Sequence, residues 1–252
     1  MDASERHPQA GYDPFLSLQA ESPGWFARSY RQARRFTSAW KRRLVKRLTP
    51  PGSRILDLGC GTGEFIAALR DDYDVTGVEP EPDAARWARE QFGLAVYTGG
   101  WEALPAGAAD FDLITMWHVL EHLPEPLSIL KQIRDRLTPA GKLLIALPNP
   151  SSPDAVIYRS EWVALDAPRH LWHFTPASLA RLAAKAGFRL QERRGLPLDL
   201  YYNIIWSERL KAATYGRRQF LLTPLRVPAA LSAGIVWGAA TGSHSGMLYL
   251  FA

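Results

Sequence analysis

Apolar positions along this chain alternate between two periods. Short apolar runs bounded by glycine, proline or charged residues predict strands at Arg54–Leu58, Val75–Glu79, Leu94–Tyr97, Phe111–Met116, Lys142–Ala146 and Phe188–Glu192. Between them, apolar residues recur every three or four positions. That spacing predicts helices at Gly63–Leu69, Pro82–Gln91 (stopped by Gly93), Pro126–Leu137 (stopped by Thr138-Pro139-Ala140-Gly141) and Pro176–Ala186. The last has Thr175 as N-cap, Pro176 at its first position and Gly187 as its stop. Strands alternating with helices predict an α/β fold with a doubly wound, mostly parallel sheet. A final apolar run, Met247–Phe251, supplies a closing strand.

Two segments stand outside this alternation. Trp25–Leu48 carries Phe26, Tyr30, Ala33, Phe36, Trp40, Leu44 and Leu48 at helical spacing, and Pro50-Pro51-Gly52 ends it. Leu196–Gly246 is too long for a hairpin loop. Tyr201, Tyr202, Ile204, Ile205, Trp206 and Leu210 predict an aromatic-rich helix there. Gly234, Gly238, Gly242 and Gly246 recur at every fourth position, which on a helix makes a smooth ridge for close backbone approach. The apolar helix expected at Pro228–Thr241 has 14 residues, roughly 21 Å. That falls short of a membrane span, which needs about 20 residues. Interfacial contact, a cap over a binding site and an ordinary buried helix remain as readings.

Composition sharpens this picture at three points. An apolar fraction of 47% is that of a chain with a full core. The lone cysteine, Cys60, excludes an internal disulfide. The net charge of +5 is local, because Trp25–Leu48 holds nine Lys or Arg residues and no acid, leaving the rest mildly acidic. A basic helix with an aromatic face reads as a membrane-surface element, an anion-binding element or a lid, or as a packed helix with a solvated basic face. No nucleic-acid module accompanies the charge. Met1–Pro23 is polar, broken by prolines, and lacks the apolar core of a signal peptide, so it is expected to be an arm.

The candidate chemistry centres on Arg-Ile-Leu-Asp-Leu-Gly-Cys-Gly-Thr-Gly-Glu-Phe, residues 54–65. A strand, a glycine turn and a helix in that order bring backbone against a nucleotide-like ligand. A dinucleotide fingerprint would place its third glycine at position 64, which is Glu64. Asp57 adds negative charge where a pyrophosphate would suffer from it. A ligand with cationic groups and no phosphate fits better.

The stretch resembles motif I of the class I S-adenosylmethionine (SAM)-dependent methyltransferases. Phe111–Leu123, with Val119-Leu120-Glu121-His122, resembles their motif IV and the segment after it, closest to the small-molecule branch that includes ubiquinone-pathway O-methyltransferases. The resemblance covers about Arg54–Glu192. It implies a Rossmann-like seven-stranded sheet whose last strand is antiparallel beside the fifth, SAM as cofactor, and direct methyl transfer to a small-molecule or lipid-linked acceptor at a hydroxyl. The domains expected are an N-terminal arm and helix (1–50), a SAM-binding core (51–195), a helical insert or cap (196–246) and the closing strand (247–252).

For the cofactor, the resemblance implicates Asp57, Gly59, Cys60, Gly61, Gly63, Glu79, Pro80, Trp101, Glu102, Met116, Trp117 and His118. Glu79, at the end of the second strand, is placed to accept both ribose hydroxyls in bidentate fashion. Gly100 departs from the family, which has Asp there, so adenine contacts fall to Glu102 or backbone, and Trp101 either covers the adenine or packs in the core. Cys60 reads as a small turn residue. His118, His170 and His173 are the candidate bases, since imidazole titrates near neutrality; each histidine is also a candidate scaffold residue. His118, Glu121 and His122 share helical spacing suited to a divalent ion, but no metal is expected and His122 reads as structural.

Two rival functions stay open on the sequence. An NAD-type oxidoreductase is opposed by Glu64 and Asp57. A non-catalytic SAM-fold subunit, membrane-associated or acting in complex assembly, is favoured only by Gly100. A cytoplasmic protein, peripheral at the inner face of a membrane, is the expected setting.

Overall fold

The computed structural model describes residues 25–196, 198–216 and 223–252. The arm expected over Met1–Pro23 and the Arg217-Arg218 pair lie outside them.

Seven strands form one sheet: β1 Arg54–Leu58, β2 Asp74–Glu79, β3 Ala95–Thr98, β4 Phe111–Trp117, β5 Leu137–Pro148, β6 Leu190–Gly195 and β7 Gly246–Phe251, in the order β3-β2-β1-β4-β5-β7-β6. β1 runs parallel to β2 and β4, and β2 parallel to β3. β7 is antiparallel to β6 and lies beside β5, as the family resemblance implies. β5 differs from the sequence reading, because it starts at Leu137 and takes in the segment read as a helix stop. The helix does stop there, at Arg136, but the stop segment continues as strand. A Cβ on Gly141 would sit 2.8 Å from the Phe111 carbonyl, so this glycine admits a neighbouring backbone.

The chain divides into two compact units. The first holds residues 25–117, 131–144 and 252; the second holds 118–130 and 145–251. In the first, helix α1 (Trp25–Leu48) has the limits its periodicity predicts. It buries Leu44 and Val45, and the Lys142 ammonium donates to the Leu48 carbonyl at its C-terminus, where cations are favoured. Part of its basic face is tied down, since Arg42 and Lys46 both reach Asp72, at 2.7 and 2.9 Å. The helix after the glycine turn is a single turn, α2 (Glu64–Ala67), shorter than the periodicity suggests. α3 (Pro82–Phe92) buries Ala84, Ala85 and Ala88, and ends at the left-handed Gly93. α4 (Pro126–Arg136), of which residues 131–136 belong to this unit, leads into β5.

The second unit holds α5 (Pro153–Tyr158), α6 (Pro176–Lys185), α7 (Asp199–Tyr215) and α8 (Thr223–Thr241). The Thr175 hydroxyl accepts from the Ser178 N–H at 3.1 Å, the N-cap expected of α6. α5 escaped the sequence reading, although Ser152-Pro153 is an N-cap signal and the Ser152 hydroxyl accepts from Ala155. α5, α7 and α8 share an apolar core of Ala155, Tyr158, Trp162, Ala164, Ile204 and Ala230. Within it lies the carboxylate of Glu208, 2% exposed. It accepts from Arg226 at 2.8 Å, Tyr158 at 3.0 Å and Thr223 at 3.0 Å, so its charge is paired as burial demands. That anchor holds the first turn of α8, which begins at Thr223 and carries Pro228 inside it; the sequence reading began the helix at the proline. No helix among the described residues is long and apolar enough to cross a membrane.

Candidate active site

In the first unit, strand register assembles a buried polar group at the C-terminal end of the parallel strands. Asp57 pairs with Gly77 on one side and Thr115 on the other. The Thr115 hydroxyl donates to the Asp57 carboxylate at 2.5 Å. Asp57 is 2% exposed, and burial pushes its carboxyl up to about 7, while the Thr115 hydrogen bond and the Lys41 charge draw it down and Glu79 adds to the rise.

The chain then turns through Gly59, Gly61 and Gly63, all at positive φ. Gly59 and Cys60 donate to the Val78 carbonyl at 2.8 and 3.1 Å, docking the turn on β2. At Gly63 a Cβ would meet Ala88 at 2.8 Å and Leu94 at 2.9 Å, so both the backbone angle and the packing require glycine. Burial holds the Cys60 thiol well above its ordinary range, and the residue is a small buried turn member without thiolate character.

Glu79 is fully buried. Its two oxygens accept the N–H groups of Gly61 at 2.8 Å and Glu81 at 3.0 Å. A carboxylate has about four acceptor positions, so Glu79 retains capacity for two more donors. Pro80 follows it, exposed. Near the end of β3, the Gly100 N–H donates to the Glu102 carboxylate at 2.9 Å, and a Cβ on residue 100 would strike Glu102 at 2.7 Å. The Glu102 carboxylate therefore folds back over the position where the family has Asp. Trp101 is 9% exposed and lies under Arg136, whose guanidinium is 4.9 Å from the ring centroid.

β4 ends at Met116, fully buried, and Trp117. The Trp117 ring meets Phe65 edge-on at 5.4 Å and Trp40 at 6.4 Å, and Lys41 places its ammonium 3.9 Å from the ring centroid. The buried Trp117 Nε1 has no hydrogen-bond partner among the described residues. Lys41 and Thr115 are site residues that the sequence reading did not single out. Only their register could have exposed them.

The second unit begins at His118, which takes a left-handed φ of 57°. For a non-glycine residue that is uncommon, and such positions cluster at functional sites. Its backbone N–H donates to the Ala146 carbonyl at 3.0 Å. Its Nδ1 lies 3.6 Å from a Glu121 oxygen and its Nε2 lies 3.5 Å from an Asp199 oxygen. Asp199 has room because residue 246 is glycine; a Cβ there would overlap the Asp199 carboxylate. Asp199, at the start of α7, and Gly246, at the start of β7, were not expected as site residues.

His170 and His173 are pinned to backbone. Their rings bond the Ala164 and Leu165 carbonyls, each at 2.8 Å, and burial holds His170 below its ordinary range. His122 bonds the Arg169 carbonyl at 3.0 Å through Nδ1, and its ring lies 4.7 Å from that of His170. A ring nitrogen on a carbonyl must be the donor, so Nδ1 carries the proton in His122 and His170, and Nε2 is left as an acceptor. Glu121 is 2% exposed, and neither of its oxygens has a hydrogen-bond partner among the described residues. Ligand atoms of Glu121, His122 and His170 lie within 4.8 Å of one another. This set could hold a divalent ion, with the imidazoles oriented by carbonyls as metal-bound histidines are. His170 thus takes the third place that helical spacing assigned to His118.

These features match a known family. A family model described as a methyltransferase domain matches residues 28–193. The ubiquinone biosynthesis O-methyltransferase of Cereibacter sphaeroides is 34% identical over 173 residues, covering 64% of this chain and 69% of that protein. That of Xanthomonas axonopodis pv. citri is 31% identical over 170 residues, covering 62% and 71%. A solved structure of a SAM-dependent methyltransferase from Archaeoglobus fulgidus, 17% identical, shares the fold with a TM-score of 0.56 over 86% of this chain and 93% of that one. The chain belongs to the methyltransferase domain family and is a class I SAM-dependent methyltransferase with a small-molecule acceptor. The non-catalytic reading is not favoured.

The residues fit the cofactor. Asp57 offers buried negative charge for a cationic ligand, the glycine turn leaves open backbone, and Glu79 keeps free acceptor capacity.

Proposed function

We propose that this enzyme methylates a hydroxyl oxygen on an apolar, lipid-linked small molecule, with His118 as the base. The observation that carries the base assignment is the His118 imidazole held between two carboxylates, Glu121 and Asp199, on a left-handed backbone. The acceptor atom follows the activity of the two bacterial relatives, which are O-methyltransferases.

SAM, when bound, supplies a methyl group already activated on a sulfonium. Glu79 would take the ribose hydroxyls. Asp57 would face the cationic end of the ligand, and Lys41 would meet its carboxylate. The faces of Trp117 and Phe65 hold the Lys41 ammonium, at 3.9 and 5.3 Å from their centroids, as aromatic faces favour cations. Glu102 and the Gly100 backbone serve the adenine end. The lone pair on the His118 Nε2 would take the hydroxyl proton, and the imidazolium so formed would have Glu121 3.6 Å from Nδ1 and Asp199 3.5 Å from Nε2, both charges stabilising it. His170 and His173, pinned by carbonyls, are assigned to the scaffold.

The test is transfer of label from methyl-labelled SAM into a lipid extract, followed by alkali. An alkali-stable ether is expected, and His118→Gln should lower the rate about 100-fold with unchanged SAM affinity. An alkali-labile ester, or a variant as fast as the parent, overturns the oxygen or base assignment respectively.

A further inference from the structure

Helix α8 shows large apolar residues to water. A helix on a soluble domain normally turns its large apolar residues to the core and polar ones to water. In α8 the fully buried positions are small, Ala230, Gly234 and Gly238, and Val227 and Leu231 pack partly against the core, while Leu225 (74%), Ile235 (52%), Val236 (68%) and Trp237 (52%) are exposed. This orientation is fixed by packing. The spaces at Gly234 and Gly238 are filled by Leu200 and His244, each 2.6 Å from where a Cβ would stand. The helix contains one charged residue, Arg226, and that is engaged by Glu208. On α7, Tyr201 and Tyr202 are about half exposed. Apolar exposure concentrated in this way marks an interaction surface.

We propose that the outer face of α8, with the exposed tyrosines of α7, docks on an anionic lipid bilayer, the helix lying in the interface without crossing it. Charge selects this occupant. Residues 196–246 contain five basic residues (Arg209, Lys211, Arg217, Arg218 and Arg226) against two acids, Asp199 and Glu208, and the Arg226–Glu208 pair cancels, which leaves four basic residues against one acid. Glu208 is buried and paired, and Asp199 is turned toward His118. Arg209 is exposed, with its guanidinium 4.6 Å from the Trp206 ring centroid. An uncharged apolar helix face in a segment with an excess of basic residues and exposed tyrosines is the composition of an interfacial helix. The inference deepens the lipid-linked acceptor reading, but it stands on this surface and does not need that reading to hold.

The test is co-sedimentation of the full chain with phosphatidylcholine vesicles, with and without phosphatidylglycerol. Salt-sensitive binding to the anionic vesicles is expected. The exposed-face variant Ile235→Ser/Val236→Ser/Trp237→Ser should lose at least about tenfold in binding, and Arg209→Glu/Lys211→Glu should lose binding to anionic vesicles only. SAM titration of each variant reports its fold, and Trp237→Ser alone serves if the triple variant is unstable. Failure of the parent chain to sediment overturns the proposal, as do variants that sediment like the parent. If the triple variant instead converts a dimer to a monomer on gel filtration with vesicle binding unaltered, the occupant is a second copy and the proposal fails. Methyl transfer to a water-soluble acceptor is read separately, so loss of vesicle binding with transfer intact leaves the enzymatic reading untouched.

Discussion

The Lys41 ammonium stands 3.9 Å from the centroid of the Trp117 ring, and the same charge draws the buried Asp57 carboxyl down. A residue of the basic helix thus stands beside the Trp117 ring and acts on Asp57. Lys41→Met should weaken SAM binding about tenfold, the range of a charge-assisted contact. Lys41→Arg should retain part of the affinity. Calorimetry on the three proteins checks this.

Asp57 predicts a pH dependence. Its carboxyl is raised to about 7 in the folded chain, against about 4 when unfolded. Between those values the folded state holds a proton that the unfolded state releases, so the contribution of this group is present below about pH 4 and lost as pH rises toward 7. Asp57→Asn removes that loss. Thermal unfolding should decline less with rising pH in the variant than in the parent across this window, while the variant binds SAM far more weakly.

Gly63 combines a φ of 80° with Ala88 and Leu94 under 3 Å from where a Cβ would stand. Gly63→Ala should cost on the order of 2 kcal/mol in a urea titration, with SAM affinity reduced as well.

Gly246 makes room for the Asp199 carboxylate beside His118. Gly246→Ala should displace Asp199 and lower kcat roughly 10- to 100-fold, the scale of a small misplacement of a catalytic group. SAM affinity, set in the other unit, should hold.

The convergence of Glu121, His122 and His170 predicts cation binding. Zinc added to the purified chain should bind at one equivalent by calorimetry, and Glu121→Gln or His170→Ala should abolish it. Equal zinc binding by the variants would place the ion elsewhere.

The strand, glycine turn and helix that carry the candidate cofactor residues were legible in the sequence because their signals are local. Residues 54–65 form strand, turn and helix within a dozen positions, and Glu79 closes the next strand. The same holds for α1, whose periodicity marked both its ends. The histidine cluster was legible only in part. Helical spacing grouped His118 with Glu121 and His122, but Leu120–His122 is a tight 3₁₀ turn and His118 adopts a left-handed φ. The resulting geometry brings His118 to Asp199 as well as Glu121, and His122 to His170. Both new partners lie many residues away, where periodicity carries no information. Of the four glycines read as a ridge, Gly234 and Gly238 are contact positions of α8, filled by the Leu200 and His244 side chains, while Gly242 and Gly246 lie past its end; which side of the helix faced the core emerged only from that packing.

The central claim is that Asp57, the glycine turn and Glu79 bind SAM. Calorimetric titration of SAM into the parent chain and Glu79→Ala tests it most directly. One site is expected in the parent, with affinity at least about tenfold weaker in the variant. Equal affinity in the two proteins, or binding of NAD in place of SAM, would contradict the account.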